Sequence, residues 1–261
     1  MDVLLIGCGR MGSAMARGWQ GQHRVLVFDP MLDTLPPGAE RIDALGDVDA
    51  EGDLVVVLAV KPQKFEAIAG DLRPLADRGV LGVSIMAGIT LGALGEAIGS
   101  RIVRAMPNTP AAIGKGITAA AAGPGVGAND RSTVDALLAP TGNVVWLADE
   151  AQIDIVTAVS GSGPAYFFRF TEALAKAGGD AGLPIALSTQ LARATFVGAA
   201  ALADADSAAL AQLRQQVTSP GGTTAAGLAP MDADDAIDRL VGKVVAAAAT
   251  RSRDLAGRGG A

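Results

Sequence analysis

Asp2-Val3-Leu4-Leu5-Ile6-Gly7-Cys8-Gly9-Arg10-Met11-Gly12 opens the chain with an apolar run and a glycine pattern directly behind it. Asp2 to Ile6 shows too little alternation for a strand with one wet face. It fits a strand buried on both faces, as in a parallel sheet. Gly7-x-Gly9-x-x-Gly12 follows at once, then the helix-like Ser13 to Gln20. A strand before and a helix after are the context that the dinucleotide fingerprint requires. Gly7 allows the tight turn, Gly9 lets the main chain approach a pyrophosphate, and Gly12 lets helix pack on strand. Gly7, Cys8, Gly9, Arg10, Met11 and Gly12 are therefore candidate cofactor contacts. The plainer alternative is a structural strand-to-helix turn. Cys8 reads as a small filler rather than a redox residue.

Further along, Arg24 to Phe28 is the next strand, with the polar turn residue His23 before it and Asp29 at its end. Asp29 lies 22 positions after Gly7 (29 − 7), close to the roughly 20 at which an acid meets the adenosine ribose hydroxyls. A carboxylate there favours NADH and repels the 2′-phosphate of NADPH, although Asp29-Pro30 is also good turn chemistry. Asp53 to Val60 is the third strand; it ends in Ala59-Val60-Lys61-Pro62, with a helix from about Gln63. Ligands of open α/β sheets bind beyond the carboxyl ends of strands, which places Lys61 and Pro62 on a cofactor cleft unless Lys61 is a solvated loop lysine. Val80 to Met86 leads into Ala87-Gly88, and Ile102 to Met106 into the rigid polar Pro107-Asn108-Thr109-Pro110. Ile117 to Ala122 and Asn143 to Leu147 add two strands, with Arg131 to Leu138 helical between them. Strands alternating with helices predict an α/β Rossmann-type doubly wound sheet over residues 1–148.

Strand signals stop after Trp146, and residues 149–261 read as an all-α domain. Helices are expected from Gln152 to Val159, interrupted or continued through Ser160-Gly161-Ser162-Gly163-Pro164, and over Tyr166 to Ala177, Ile185 to Ala203, Ser207 to Gln216 and Ala233 to Leu255. Pro164 suits a first helical turn. Ile237, Leu240, Val241, Val244, Val245 and Ala248 share one face of the last helix, and Gly257 to Ala261 reads as a frayed tail. Between the last two helices lies Val217-Thr218-Ser219-Pro220-Gly221-Gly222-Thr223-Thr224. It reads as a tight loop opening a helix, whose free N–H groups could hold an anion; an ordinary Ser- or Thr-capped helix start is the alternative. So Ala-rich a domain has a thin core, and burial against a second copy would remedy that, so at least a dimer is expected.

Composition narrows the chemistry. The formal charge is −6, from 27 acidic and 21 basic residues, and no basic run suggests a nucleic-acid surface. One Cys and one His leave no intrachain disulfide and no Cys- or His-based metal centre. No secretory leader pattern is present, and uninterrupted apolar runs such as Leu54 to Val60 fall short of the roughly 20 residues of a bilayer span; a cytoplasmic protein is expected. A nicotinamide cofactor would supply hydride. No His, Lys or Tyr stands in a convincing acid–base setting, with Tyr166 beside a Gly-Pro turn and Lys176 and Lys243 outside any motif. This favours reduction of C=N over C=O, since a protonated imine nitrogen already draws hydride.

The segments Gly7–Gly12, Ala59–Pro62, Met106-Pro107-Asn108-Thr109-Pro110, Ser160-Gly161-Ser162-Gly163-Pro164-Ala165-Tyr166 and Thr218–Thr224 occur in that order over essentially the whole chain. In them the sequence resembles pyrroline-5-carboxylate reductase, the last enzyme of proline biosynthesis. The resemblance implies reduction of L-1-pyrroline-5-carboxylate to L-proline by NADH or NADPH, and an all-helical domain that interleaves into a homodimer, often in a pentamer of dimers. It implies that the main-chain N–H groups of Ser219, Gly221, Gly222 and Thr223 hold the substrate carboxylate, that the Thr224 hydroxyl faces the ring nitrogen as the catalytic group, and that Glu150 lies near the substrate. It maps cofactor contacts onto Ala59, Val60, Lys61, Pro62, Ile85, Met86 and Ala87 and, with Asn in some relatives, onto Gln216; Asn108 joins them as a candidate. Relatives that use NADP often carry a small hydroxyl where this chain has Asp29. The alternatives are another imine or β-hydroxyacid reductase of this architecture, or a non-catalytic dinucleotide-sensing scaffold.

Overall fold

The computed structural model describes residues 1–49 and 53–258. Eight strands, β1 (Asp2–Ile6), β2 (Arg24–Phe28), β3 (Ala39–Arg41), β4 (Leu54–Leu58), β5 (Leu81–Ser84), β6 (Ile102–Met106), β7 (Gly116–Ala122) and β8 (Gly142–Trp146), form one sheet in the order β3-β2-β1-β4-β5-β6-β7-β8. Neighbours run parallel except β6 and β7, which are antiparallel. The expected doubly wound sheet is thus mixed at one end. The link between those two strands, residues 107–115, holds only a 3₁₀ turn at Thr109–Ile113. A parallel return needs a crossover of a dozen or more residues, so this link can only turn the chain back.

Helices α1 (Arg10–Trp19), α2 (Phe65–Ala69), α3 (Arg73–Asp77), α4 (Leu91–Ile98) and α5 (Ala128–Leu138) cover the sheet. Alternate residues supply the two cores. Val3, Leu5, Val55, Val57 and Val103 pack with Met15 and Trp19 of α1 and Val134 and Leu137 of α5. Leu4, Ile6, Val56 and Leu58 pack on the other face with Phe65, Leu72, Leu75, Leu94 and Ile98. Because both faces are covered, the strands read as continuous apolar runs. Trp19 is fully buried, and its Nε1 donates to the Leu137 carbonyl at 2.6 Å, tying α1 to α5.

The chain divides into two compact units, residues 1–162 with the C-terminal stretch from Ala247, and Gly163–Ala246. In the first, a 3₁₀ turn at Glu150–Gln152 leads into α6 (Ile153–Val156) and a π-helical turn, Thr157–Gly161. The chain therefore stays helical through Ser160 and Gly161, but in a widened turn. The second unit holds α7 (Gly163–Asp180), α8 (Ile185–Ala205), α9 (Leu210–Gln216), α10 (Thr223–Asp232) and the first half of α11 (Ala236–Arg258). Pro164 sits in the first turn of α7 as expected. Two helices start late. Asp206 accepts from Ala208 N at 2.9 Å and delays α9; Asp234 and Asp235, at φ 49° and 53°, break the chain before α11. The last helix runs to Arg258, into the expected tail, and residues 259–261 lie outside the described residues. In the first unit, Ser252 of α11 donates to Asp154 of α6 at 2.6 Å.

Within the second unit α7 and α8 form a hairpin. Ser188 Oγ donates to the Ala175 carbonyl at 2.6 Å, and the Phe196 ring lies 6.1 Å and 6.2 Å from those of Phe167 and Phe168. Phe167, Phe168, Phe170, Leu187, Leu191, Leu240 and Val241 are nonetheless exposed. Helix α8 is long and apolar enough, by length and composition alone, to cross a membrane, although Gln190, Arg193 and Asp204 interrupt it.

Candidate functional site

The loop between β1 and α1 sits at the carboxyl end of the sheet. Gly7 has φ +89°, and a Cβ there would lie 2.8 Å from Ala59 and Val60. A Cβ on Gly12 would meet the Gly7 carbonyl at 2.5 Å. Gly9 is different: nothing lies within 4 Å of its Cβ position. It is the N-cap of α1, and no side chain caps that helix. The first N–H groups of α1 thus lack a side-chain cap and start from an unhindered main chain at Gly9, which fits the diphosphate of a dinucleotide.

Asp29 reaches this loop. Its Oδ2 accepts from Cys8 N at 2.7 Å and its Oδ1 from Met31 N at 3.0 Å. Cys8 is buried; burial raises its thiol pKa, the Ser13 hydroxyl opposing that, so the thiol is a neutral filler as expected. Ala59 N bonds the Ile6 carbonyl at 2.8 Å and Ile85 N bonds the Leu58 carbonyl at 3.0 Å, which brings 59–62 and 85–87 to the same edge. Lys61 and Ala87 are exposed there, Val60, Pro62 and Ile85 half-buried. Met86 is buried in the core, unlike its neighbours Ile85 and Ala87. Asn108 Oδ1 accepts from Ile117 N at 3.0 Å and so braces its own loop. His23 stands at the opposite, amino end of β2, where burial lowers its pKa.

Glu150 is held by residues the sequence reading passed over. Its Oε1 accepts from Arg104 Nη1 at 2.5 Å and from Leu91 N, at the start of α4, at 2.8 Å. Arg104 is 5% exposed. An arginine inside the otherwise apolar Ile102–Met106 was the available signal, since a buried guanidinium demands a partner.

Ser219 to Thr224 belong to the other unit, as does Gln216, exposed at the end of α9. Here the N-cap of α10 is Gly222, without a side-chain cap, so the ordinary Ser- or Thr-capped start does not apply. Gly221 takes φ +70° and Gly222 N bonds the Ser219 carbonyl at 3.0 Å. A Cβ on Gly222 would lie 2.4 Å from Ser219 Oγ. Ser219, Gly221, Thr223 and Thr224 are exposed, leaving the opening N–H groups of α10 unshielded by side-chain caps.

Two family models match: pyrroline-5-carboxylate reductase dimerisation over residues 150–255, and NADP oxidoreductase, coenzyme F420-dependent, over residues 2–88. The pyrroline-5-carboxylate reductase of Glycine max is 42% identical over 96% of this chain and 94% of its own length. The chain belongs to the pyrroline-5-carboxylate reductase family. Two solved reductases of this family resemble its structure. That of Coxiella burnetii has TM-score 0.88 and 31% identity, covering 97% of each chain. That of Plasmodium falciparum, solved with NADP bound, has TM-score 0.79 and 29% identity, covering 98% of this chain and 100% of its own.

Proposed function

We propose that this chain reduces L-1-pyrroline-5-carboxylate to L-proline with NADH or NADPH, the final step of proline biosynthesis. The observation that carries the reading is the open glycine cradle at Gly9, in a chain that keeps the family's order over nearly its whole length. A bound nicotinamide would supply the hydride, delivered to ring carbon 5. Residues 1–148 are assigned to dinucleotide binding and 149–261 to substrate binding and dimerisation. Gly7 to Gly12, 59–62, 85–87, Asn108 and Gln216 would hold the cofactor. Ser219, Gly221, Gly222 and Thr223 would bind the substrate carboxylate through main-chain N–H groups. Thr224 would hold the ring nitrogen, and Glu150 would help place the ring. The iminium already draws hydride, so a separate acid–base dyad is unnecessary. Asp29 favours NADH by opposing a 2′-phosphate.

Self-association is the cover proposed for the exposed faces of α7, α8 and α11, as a homodimer or a pentamer of dimers in the cytoplasm. The family model for dimerisation, matching residues 150–255, supports this cover over a bilayer. The deciding experiment mixes the protein with pyrroline-5-carboxylate and each cofactor and follows loss of nicotinamide absorbance. Turnover with a lower KM for NADH than for NADPH is expected. No turnover with either would overturn the proposal in favour of a sensor, and equal kcat/KM would sink the charge argument for Asp29.

A further inference from the structure

Asp29 is engaged by main-chain groups on both of its carboxylate oxygens. Cys8 lies between two glycines, Gly7 and Gly9, the residues with most conformational freedom to lose. Yet its main chain is held on both sides. Its N–H donates to Asp29 Oδ2 at 2.7 Å, across 21 positions of sequence, and its carbonyl accepts from Ser13 Oγ at 2.8 Å. Asp29 is fixed in turn: Oδ1 accepts from Met31 N at 3.0 Å, and Arg41 donates to the Asp29 and Leu32 carbonyls at 3.4 Å and 2.5 Å. The chain from the end of β2 to the end of β3 thus forms a frame around one carboxylate, and that carboxylate grips the middle of the glycine loop.

We infer that Asp29 is a positioning residue that latches the glycine loop in its binding conformation, and so supports NADH and NADPH alike, apart from any discrimination at the ribose. The inference rests on the proposed dinucleotide binding. A loop held in one conformer loses less freedom when it meets its ligand, which is how preorganisation raises affinity. A residue that only repels a 2′-phosphate and a residue that also latches the loop answer differently to substitution. Asparagine keeps an oxygen for Cys8 N but drops the charge; alanine drops both.

The experiment compares full-length wild type, Asp29→Asn and Asp29→Ala by two readouts. One is amide hydrogen exchange at Cys8 without cofactor; the other is affinity for NADH and NADPH from nicotinamide fluorescence, with thermal melts confirming folding. Asp29→Ala is expected to expose the Cys8 amide and to weaken both cofactors about 10-fold, in keeping with loss of a charge-assisted hydrogen bond. Asp29→Asn is expected to retain Cys8 protection and to bind NADPH more tightly than wild type. An unprotected Cys8 amide in the wild type overturns the latch, even if Asp29→Ala does not fold. So does an Asp29→Ala protein that keeps NADH affinity and gains NADPH affinity. A wild type that binds neither dinucleotide refutes the proposed function and the latch's role in binding together, whereas a wild type that binds both with an unprotected Cys8 amide refutes the latch alone, which keeps the two failures distinct.

Discussion

Val3 to Ile6 and Leu54 to Leu58 are buried on both faces of the sheet, whereas Phe167, Phe168 and Phe170 of α7 are each more than half exposed, at 60%, 56% and 52%. Both regions are apolar in sequence, and only one hides what it carries. In the sheet unit both faces of the central strands meet helices of the same unit. In the helical unit, Ala175, Ser188 and Ala192 are buried in the α7–α8 hairpin, and Phe196 meets Phe167 and Phe168 across it, yet those two rings stay mostly exposed. Small residues and the Phe196 contacts close the hairpin, and much of the large apolar surface stays exposed. A monomer that displayed so many large apolar side chains would be prone to association. The contrast therefore predicts that the sheet unit carries its own stability and that the stability of the helical unit depends on protein concentration.

The strongest way to break this contrast is to charge the exposed face. Leu191→Asp should cost about 3 to 5 kcal/mol per buried charge, and a two-fold interface presents each substitution twice. Light scattering should show monomers at micromolar protein, with activity lost; an unchanged mass would refute the assigned face. The matching substitution in the sheet unit is Trp19→Ala. It removes the largest fully buried side chain and leaves the Leu137 carbonyl without its 2.6 Å donor. A loss of about 3 to 5 kcal/mol is expected. Unlike Leu191→Asp, it should lower the melting temperature without a dependence on protein concentration. A concentration-dependent loss of equal size in both variants would erase the distinction between the units.

The same contrast explains what could be read from the letters. Leu54–Leu58 was legible because burial on both faces leaves no polar position in the run. Ala39–Arg41 was not, because an edge strand pairs through its main chain and leaves Glu40 and Arg41 exposed. The reversal of β7 is written in the shortness of 107–115, not in the apolar run of β7 itself. At the site, the glycine spacing was legible since each glycine answers a steric need. The grip of Asp29 on Cys8 was not, because residues 21 apart meet only after β1 and β2 pair in register. The Ser219–Thr224 loop could be read as a helix start. What it offers is main-chain N–H groups, which every residue but proline carries, so no letter marks their purpose.

Thr224 tests the helical unit at its most local point. Its hydroxyl is exposed at the start of α10, where it supports no core. Thr224→Ala should therefore leave the melting temperature and the dimer unchanged while lowering kcat/KM for pyrroline-5-carboxylate about 10- to 100-fold, as for single donors at a transition state. Full turnover at unchanged KM would remove Thr224 from the catalytic role.

The smallest expected effect lies at the amino edge of the sheet unit. Arg101 Nη2 pairs with Asp130 Oδ1 at 2.6 Å, and Asp130 Oδ2 accepts from Gly127 N at 2.9 Å to cap α5. The Arg101 hydrogen bond lowers the Asp130 pKa, against the opposing pull of burial. A depressed carboxyl pKa contributes stability above the unfolded value of about 3.9 and loses it as pH falls through the folded value. Asp130→Asn keeps an oxygen for the cap and removes the ion pair. Because the Arg101 side chain is 47% exposed, solvent screening holds the expected loss near 1 kcal/mol at neutral pH. Melts of the two proteins should differ by a few degrees at about pH 7 and converge as pH falls through the lowered folded-state pKa of Asp130, where the wild-type carboxyl is protonated as well. A gap that stayed constant into acid would trace the loss to the cap rather than to the ion pair.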